Sequence, residues 1–317
     1  MNIQRVYSTI DVHVAGETFR IMRDTPFIHY QNLEQLNEKF PDVFAAEINL
    51  LLNEPRGFAG LTGCLAVPPI SREADLAVLF FNHEGMVPIQ FGGIVAVLTA
   101  MLECGHLEER ASRQYKIETV NGLILVTATM ENGEVVSVML ESKSCQVVQT
   151  GISLPDSQIE TKFSLVYTDQ LYAVFEKQRM PAEIDVKDLA ELKSWGKEVF
   201  QALDSTIPIQ GVILMEDCPL EEGRIKSITF LKDQYILRSP GFGPTAACYL
   251  HLCSKRETAR NQSFVNESIF GSCLQMQLTK QIENEYQFTY TSRGFITGMQ
   301  TFVLDPTDPL PAGFLLK

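Results

Sequence analysis

At 317 residues the chain exceeds the usual size of a single hydrophobic core, so two domains are expected. Hydrophobic residues make up 45% and charged residues 21%, which excludes a disordered chain and supplies ample core. The 26 Lys+Arg against 39 Asp+Glu give a formal charge of −13, which repels phosphate backbones and anionic membrane surfaces and argues against nucleic acid as a partner.

No apolar run reaches the length of a membrane span, and the opening MNIQRVYSTIDV lacks the apolar region and cleavage site of a signal peptide, so a cytoplasmic location is expected. In chain order, alternation around Ile10, Val12 and Val14 predicts a strand, broken at Ala15-Gly16 and followed by a second short strand. Leu33, Leu36, Phe40, Val43, Phe44, Ile48 and Leu51 recur at helical spacing, predicting a helix over 32–52 that is interrupted near Pro41 and ended by Asn53-Glu54-Pro55-Arg56-Gly57. Leu65-Ala66-Val67 and the run Leu76–Phe81 predict buried strands.

Next comes Pro88-Ile89-Gln90-Phe91-Gly92-Gly93, a Gly-rich turn leading into the apolar helix IVAVLTAMLEC, which Gly105 stops. A counterpart follows later: Ser239-Pro240-Gly241-Phe242-Gly243-Pro244 leads into TAACYLHLC. Neither helix has a polar face, so each is expected to be buried all round at the centre of its own domain. Between them Tyr115–Val148 predicts a hairpin with Asn132-Gly133 at its two-residue turn. Residues 187–203 predict an amphipathic helix carrying the sole tryptophan, Trp195, packed onto the second domain. Val212–Met215, Ile225–Leu231 and the alternating stretch 286–303 predict further strands. The chain thus reads as two similar halves, with a boundary near Ile152-Ser153-Leu154-Pro155 placed by symmetry.

The seven cysteines are odd in number, widely spread and form no CxxC pair, which suits reduced buried thiols. Cys248 and Cys253 flank His251 in an apolar helix, so a packed helix face is preferred to a zinc site, and no metal is expected. Cys104 and Cys248 are expected to point into cores. Neither Phe91-Gly92-Gly93 nor Gly241-Phe242-Gly243 fits a phosphate loop, because no Lys-Ser/Thr follows.

Several motifs in register carry a resemblance: Ile10–Glu17 with Arg20, Asn53–Gly57, Val67-Pro68-Pro69, Ala74-Asp75-Leu76, Glu84-Gly85 running to Gly93 and Ala96, and Arg238-Ser239-Pro240 ahead of Thr245. Together they resemble the proline racemase family, which includes 4-hydroxyproline epimerases and trans-3-hydroxyproline dehydratases. The resemblance implies an α/β (α+β) fold of the diaminopimelate epimerase type. Its two pseudo-symmetric domains would each be a β-sheet wrapped around a central helix, with the active site in the cleft between them. It places the first domain at 1–150 plus about 296–317 and the second at 151–295, and it implies a homodimer that needs no cofactor.

The family's chemistry, as the resemblance implies it, uses two thiols, one per domain. One abstracts the α-proton and the other protonates the opposite face. The motif Met-Cys-Gly-His-Gly falls on Ile89-Gln90-Phe91-Gly92-Gly93, so the first thiol position is Gln90, whose amide exchanges no proton near neutrality, and the amine-holding His position is Gly92. Asp-Arg-Ser-Pro-Cys-Gly-Thr-Gly-Thr falls on Leu237-Arg238-Ser239-Pro240-Gly241-Phe242-Gly243-Pro244-Thr245, so the second thiol is Gly241 and the amine-pairing Asp is Leu237. Phe91 and Phe242 replace glycines at mirrored positions.

No catalytic residue is therefore intact, and the expected function is that of a family member without racemase, epimerase or dehydratase activity that binds a small carboxylate. His83, Glu84, Gln90, Phe91, Gly92, Gly93, Leu237, Gly241, Phe242, Gly243 and Thr245 are its candidate lining. The alternative is an isomerase or lyase acting on an amino or imino acid derivative with another acid–base pair, for which His83 and Glu84 are the candidates. Both also suit a role as loop hydrogen-bonding groups. Asp11, His13, Arg20, Glu54 and Arg56 suit either a ligand site or a structural ion-pair cluster.

Overall fold

The computed structural model describes residues 3–316 other than 4, 24–27, 88, 155–161, 178–181, 204–206, 217–222, 233–234 and 256–262. Pro88, Pro155 and Cys218 therefore lie outside the described residues. The chain is mixed α/β and divides into two compact units, Met1–Leu140 with Ser292–Lys317, and Glu141–Thr291. No helix among the described residues is long and apolar enough to cross a membrane.

In the first unit, β1 (Arg5–Val14) and β2 (Glu17–Met22) form a hairpin through Ala15 and Gly16, both at positive φ. Helix α1 (Leu33–Leu52) starts where the Asn32 side chain accepts the Gln35 N–H at 2.9 Å. Its interruption falls at Phe44, three residues beyond Pro41, and Val43 is exposed rather than part of the apolar stripe. β3 (Thr62–Val67) runs parallel to β2, and β4 (Leu76–Asn82) antiparallel to β3. The short β5 (Gly85–Val87) turns back on β4 ahead of α2 (Phe91–Glu103), whose residues Phe91–Leu102 are all buried. β6 (Gln114–Thr119) is parallel to β4 and continues through β7 (Gly122–Glu131) to β8 (Glu134–Glu141), with Asn132 and Gly133 at φ 52° and 85° as a two-residue hairpin requires.

The second unit repeats this order. β9 (Gln146–Ser153) pairs with β10 (Lys162–Tyr167), which forms a hairpin with β11 (Leu171–Glu176). The crossover α3 (Leu189–Leu203) leads to β12 (Gly211–Met215), parallel to β11, and then to antiparallel β13 (Arg224–Leu231). Trp195 packs α3 onto this sheet through Phe175 and Phe230, with ring centroids 5.4 and 6.0 Å away. After α4 (Phe242–Lys255) come β14 (Ser263–Ser268), parallel to β13, then β15 (Cys273–Ile282) and β16 (Glu285–Ser292).

Finally β17 (Gly294–Leu304) returns to the first unit and pairs antiparallel with β1 along its whole length. The alternating stretch 286–303 is thus two strands, parted at Arg293. The division at Leu140/Glu141 precedes the expected boundary near residue 152, because β9 is hydrogen-bonded to β10 of the second unit. In each unit a parallel crossover, a central helix and a meander follow in the same order, and each central helix packs on strands of its own unit, α2 on β1, β2, β3 and β17 and α4 on β9, β10, β11 and β15.

Candidate functional site

Both central helices begin three residues earlier than their apolar runs suggest, so Gly92, Gly93 and Gly243 are first-turn helix residues rather than turn residues. At α2, Gln90 is the N-cap in extended conformation (φ −135°, ψ 104°); its carbonyl accepts the Ile94 N–H at 2.9 Å, and its half-buried side chain makes no cap hydrogen bond. Such a helix start, with no acidic residue in its first turn, can hold an anion through its backbone donors. A Cβ on Gly93 would lie 2.5 Å from Phe80 Cε1, so only glycine lets α2 approach β4 this closely. Phe91 is buried, at 7% exposure, within the first unit.

His83 and Glu84 lie in the turn between β4 and β5. Nδ1 of His83 is 3.1 Å from Asn53 Oδ1 and Nε2 is 3.1 Å from the Phe58 carbonyl, so the imidazole ties that turn to the loop after α1. Glu84 is exposed, and its backbone N–H donates to Asn82 Oδ1 at 2.8 Å.

At α4, Ser239 Oγ accepts the Gly241 N–H at 3.2 Å, and Gly241 adopts φ 74°, the left-handed region that favours glycine. A Cβ there would meet Pro244 Cγ at 2.8 Å and Leu237 Cδ1 at 3.2 Å. The Thr245 hydroxyl donates to the Gly241 carbonyl at 2.6 Å and accepts from Asn266 Nδ2 at 3.2 Å, while Asn266 Oδ1 accepts from Ser227 Oγ at 2.9 Å. Thr245 is therefore a buried brace of the turn. Phe242 is half-buried and meets Tyr290 edge-on at 5.2 Å, so the two mirrored phenylalanines have different environments.

A residue that the sequence reading passed over sits here. Asp169, in the turn Thr168–Gln170 between β10 and β11, lies so close to α4 that a Cβ on Gly243 would fall 2.1 Å from its Oδ1. Oδ1 accepts from Thr168 Oγ1 at 2.8 Å and from the Tyr172 hydroxyl at 3.5 Å. Burial pushes the Asp169 carboxyl up, with these bonds and the N–H groups of Asp169 and Gln170 pulling the other way. In sequence, Thr-Asp-Gln between two apolar strands signals only a turn.

The remaining polar candidates make their contacts within the first unit. Arg20 forks onto Asp11 (Nε–Oδ1 2.9 Å, Nη2–Oδ2 2.7 Å) and caps the carbonyls of Leu51 and Arg56 at 2.6 and 2.7 Å. Arg56 pairs with Asp308, and Glu54 exchanges backbone hydrogen bonds with Phe314, which ties down the C-terminal segment. His13 stacks on Phe295 with centroids 5.1 Å apart.

His251 is buried with Nδ1 2.8 Å from Ser164 Oγ and Nε2 3.1 Å from Glu176 Oε1, and Lys255 Nζ reaches Glu176 Oε2 at 2.7 Å. Among the described residues no group of three or more His, Cys, Asp or Glu could hold a metal ion. The six described cysteines are unpaired, and Cys104 is half-buried at the end of α2 rather than in the core. Burial pushes the Cys145 and Cys248 thiols up to about 12 and Cys253 to about 11, and raises Cys64 and Cys104 as well.

The sequence matches the proline racemase family over residues 9–315. The chain belongs to the proline racemase family. A trans-3-hydroxy-L-proline dehydratase of Bacillus cereus is 29% identical, with both chains covered completely. Among solved structures, a hydroxyproline epimerase from Agrobacterium vitis with bound trans-4-hydroxy-L-proline superposes with a TM-score of 0.83 at 23% identity, covering 100% of this chain and 96% of that one. A probable proline racemase from Agrobacterium radiobacter with bound carbonate gives 0.83 at 24% identity, covering 98% and 96%. In this proline racemase family member the first central helix starts after its cap Gln90 and the second directly after Gly241.

Proposed function

We propose that this member of the proline racemase family does not carry out the thiol-based reactions of racemase, epimerase or dehydratase, and that it binds a small carboxylate instead. The observation that carries this is the absence of a thiol at either central helix start: Gln90 caps α2 and Gly241 precedes α4. A two-sided proton transfer needs a titratable group on each face of the substrate carbon, and an amide and a glycine provide neither. The raised thiols of Cys64, Cys104, Cys145, Cys248 and Cys253 make poor bases at neutral pH. His83 is a weak replacement, since both its ring nitrogens already face loop oxygens. The carboxylate reading draws support from the relatives solved with hydroxyproline and carbonate.

The test is incubation of the protein in D2O with proline, 4-hydroxyproline and 3-hydroxyproline, followed by NMR. We expect neither α-proton exchange nor dehydration above a buffer control, and clear exchange would sink the reading. On the same family grounds we propose a homodimer, which sedimentation would detect as a species of twice the 35.6 kDa chain mass, and from the lack of a signal-peptide pattern in the opening residues we propose a cytoplasmic location.

A further inference from the structure

We propose that two copies of this protein join along the free edge of β17, each β17 pairing antiparallel with that of the other copy. The proposal rests on the homodimer reading above and adds to it the surface that makes the contact.

β17 runs for 11 residues, Gly294–Leu304, and is the longest of the described strands. Among the described residues it pairs with β1 alone, so the N–H and C=O groups along its other edge have no partner strand. Only Gly294 of its residues is buried. Met299, Gln300 and Thr301 are consecutive and all exposed, Met299 at 61%, so the strand is open on both faces there. From Asp11↔Gly298 to Arg5↔Leu304 its pairing with β1 is unbroken, and no bulge turns this stretch of the edge aside.

Exposed edges are ordinarily blunted by charged residues, proline, bulges or short length, because a bare edge invites another strand. The sequence GFITGMQTFVL contains no Asp, Glu, Lys, Arg or Pro, and its single register shift lies at Asp11/Val12, near the start of the strand. The corresponding edge strand of the second unit, β9, is also uncharged, but it is shorter, at 8 residues, and shifts register against β10 twice. It also holds Gly151 at φ 68°, and its Val147 carbonyl accepts from Asn284 Nδ2 at 2.9 Å. One edge is thus blunted by its geometry and the other is left open.

The occupant follows from charge. At −13 the chain repels a second copy over most of its surface, and a two-fold contact sets the residues of one strand against those of the same strand. An uncharged strand meets its own copy with no like charges opposed, and an antiparallel ladder is itself two-fold symmetric. The exposed Met299 side chain adds apolar area to the backbone hydrogen bonds.

Sedimentation of the full chain over a dilution series tests this, with amide hydrogen exchange read above and below the dissociation midpoint. We expect a dimer in which residues 294–304 gain protection. Met299→Glu and Thr301→Glu oppose like charges across the axis, and each should raise the dissociation constant roughly ten-fold or more while the far-ultraviolet circular dichroism stays the same. Val148→Glu, an equally exposed change on β9, should leave the dimer intact. If either β17 variant loses its fold, the exchange result on the unmodified chain decides. A dimer that survives both β17 substitutions, is broken by Val148→Glu, or gains protection only outside β17 overturns the proposal and leaves the homodimer reading standing. A monomer at every concentration overturns both and leaves the edge to a strand of another protein.

Discussion

A cysteine placed at position 241 meets obstacles that one at position 90 does not. Gly241 holds φ 74°, and the space for a Cβ is taken by Pro244 and Leu237, whereas Gln90 already carries a side chain on extended backbone. Gly241→Cys should therefore cost about 1–3 kcal/mol in urea unfolding, while Gln90→Cys stays within about 1 kcal/mol. On the proposed alignment, in which Gly92 and Leu237 stand at the amine-holding positions, the double variant should show no proline racemisation by polarimetry. Gly243 makes a related prediction. Gly243→Ala drives a methyl into Asp169 Oδ1 and should destabilise by about 1–3 kcal/mol, and adding Asp169→Ala should recover part of that loss, a non-additivity that a double-mutant cycle measures. The sequence marks Gly241 and Gly243 as turn glycines; that one holds a left-handed conformation and the other makes room for a distant carboxyl is set by packing.

At the scale of the element, α4 is less apolar in its bonding than its sequence suggests. His251 was expected on a packed helix face, and it is packed, but it also joins α4 to β10 and β11 through Ser164 and Glu176. The bond from His251, together with Lys255, lowers the Glu176 carboxyl from its ordinary value of 4.5 to about 2. Because the folded value lies below the unfolded one, this stabilisation is complete above about pH 4.5 and is lost as pH falls toward 2. Acid unfolding followed by circular dichroism should therefore be less steep between those limits in Glu176→Gln, which has no carboxyl to titrate. Thr245 braces the start of the same helix. Thr245→Val should cost about 1–3 kcal/mol in thermal or urea unfolding, since it leaves the buried Asn266 amide short of an acceptor.

At the scale of the whole molecule, the first unit depends on the end of the chain. β17 pairs with β1 from Val14↔Gly294 to Arg5↔Leu304, and Gln300 donates to Asp11 Oδ2 at 3.1 Å while Phe302 lies under Arg20, 4.5 Å from ring centroid to guanidinium carbon. A chain ending at Ser292 would expose the hydrogen-bonding edge of β1 and uncover the buried Asp11–Arg20 pair. Such a truncation should lose the near-ultraviolet signal and cooperative unfolding of the first unit, and a truncated chain that melts like the full one would refute this dependence.

The sequence by itself determined the repeated plan: two apolar helices after Gly-rich turns, an Asn132-Gly133 hairpin, an amphipathic crossover and membership signalled by motifs in register. These are local patterns, since hydrophobic period and turn chemistry act between near neighbours in the chain. Tertiary structure alone decided which polar groups meet. It set Asp169 against Gly243, joined His251 to Ser164 and Glu176, engaged both nitrogens of His83, and turned Asp11 and Arg20 into a brace. Each of these pairings needs two elements packed at a fixed distance. A side chain's partners, and hence its charge and availability, follow from that packing rather than from its neighbours in sequence.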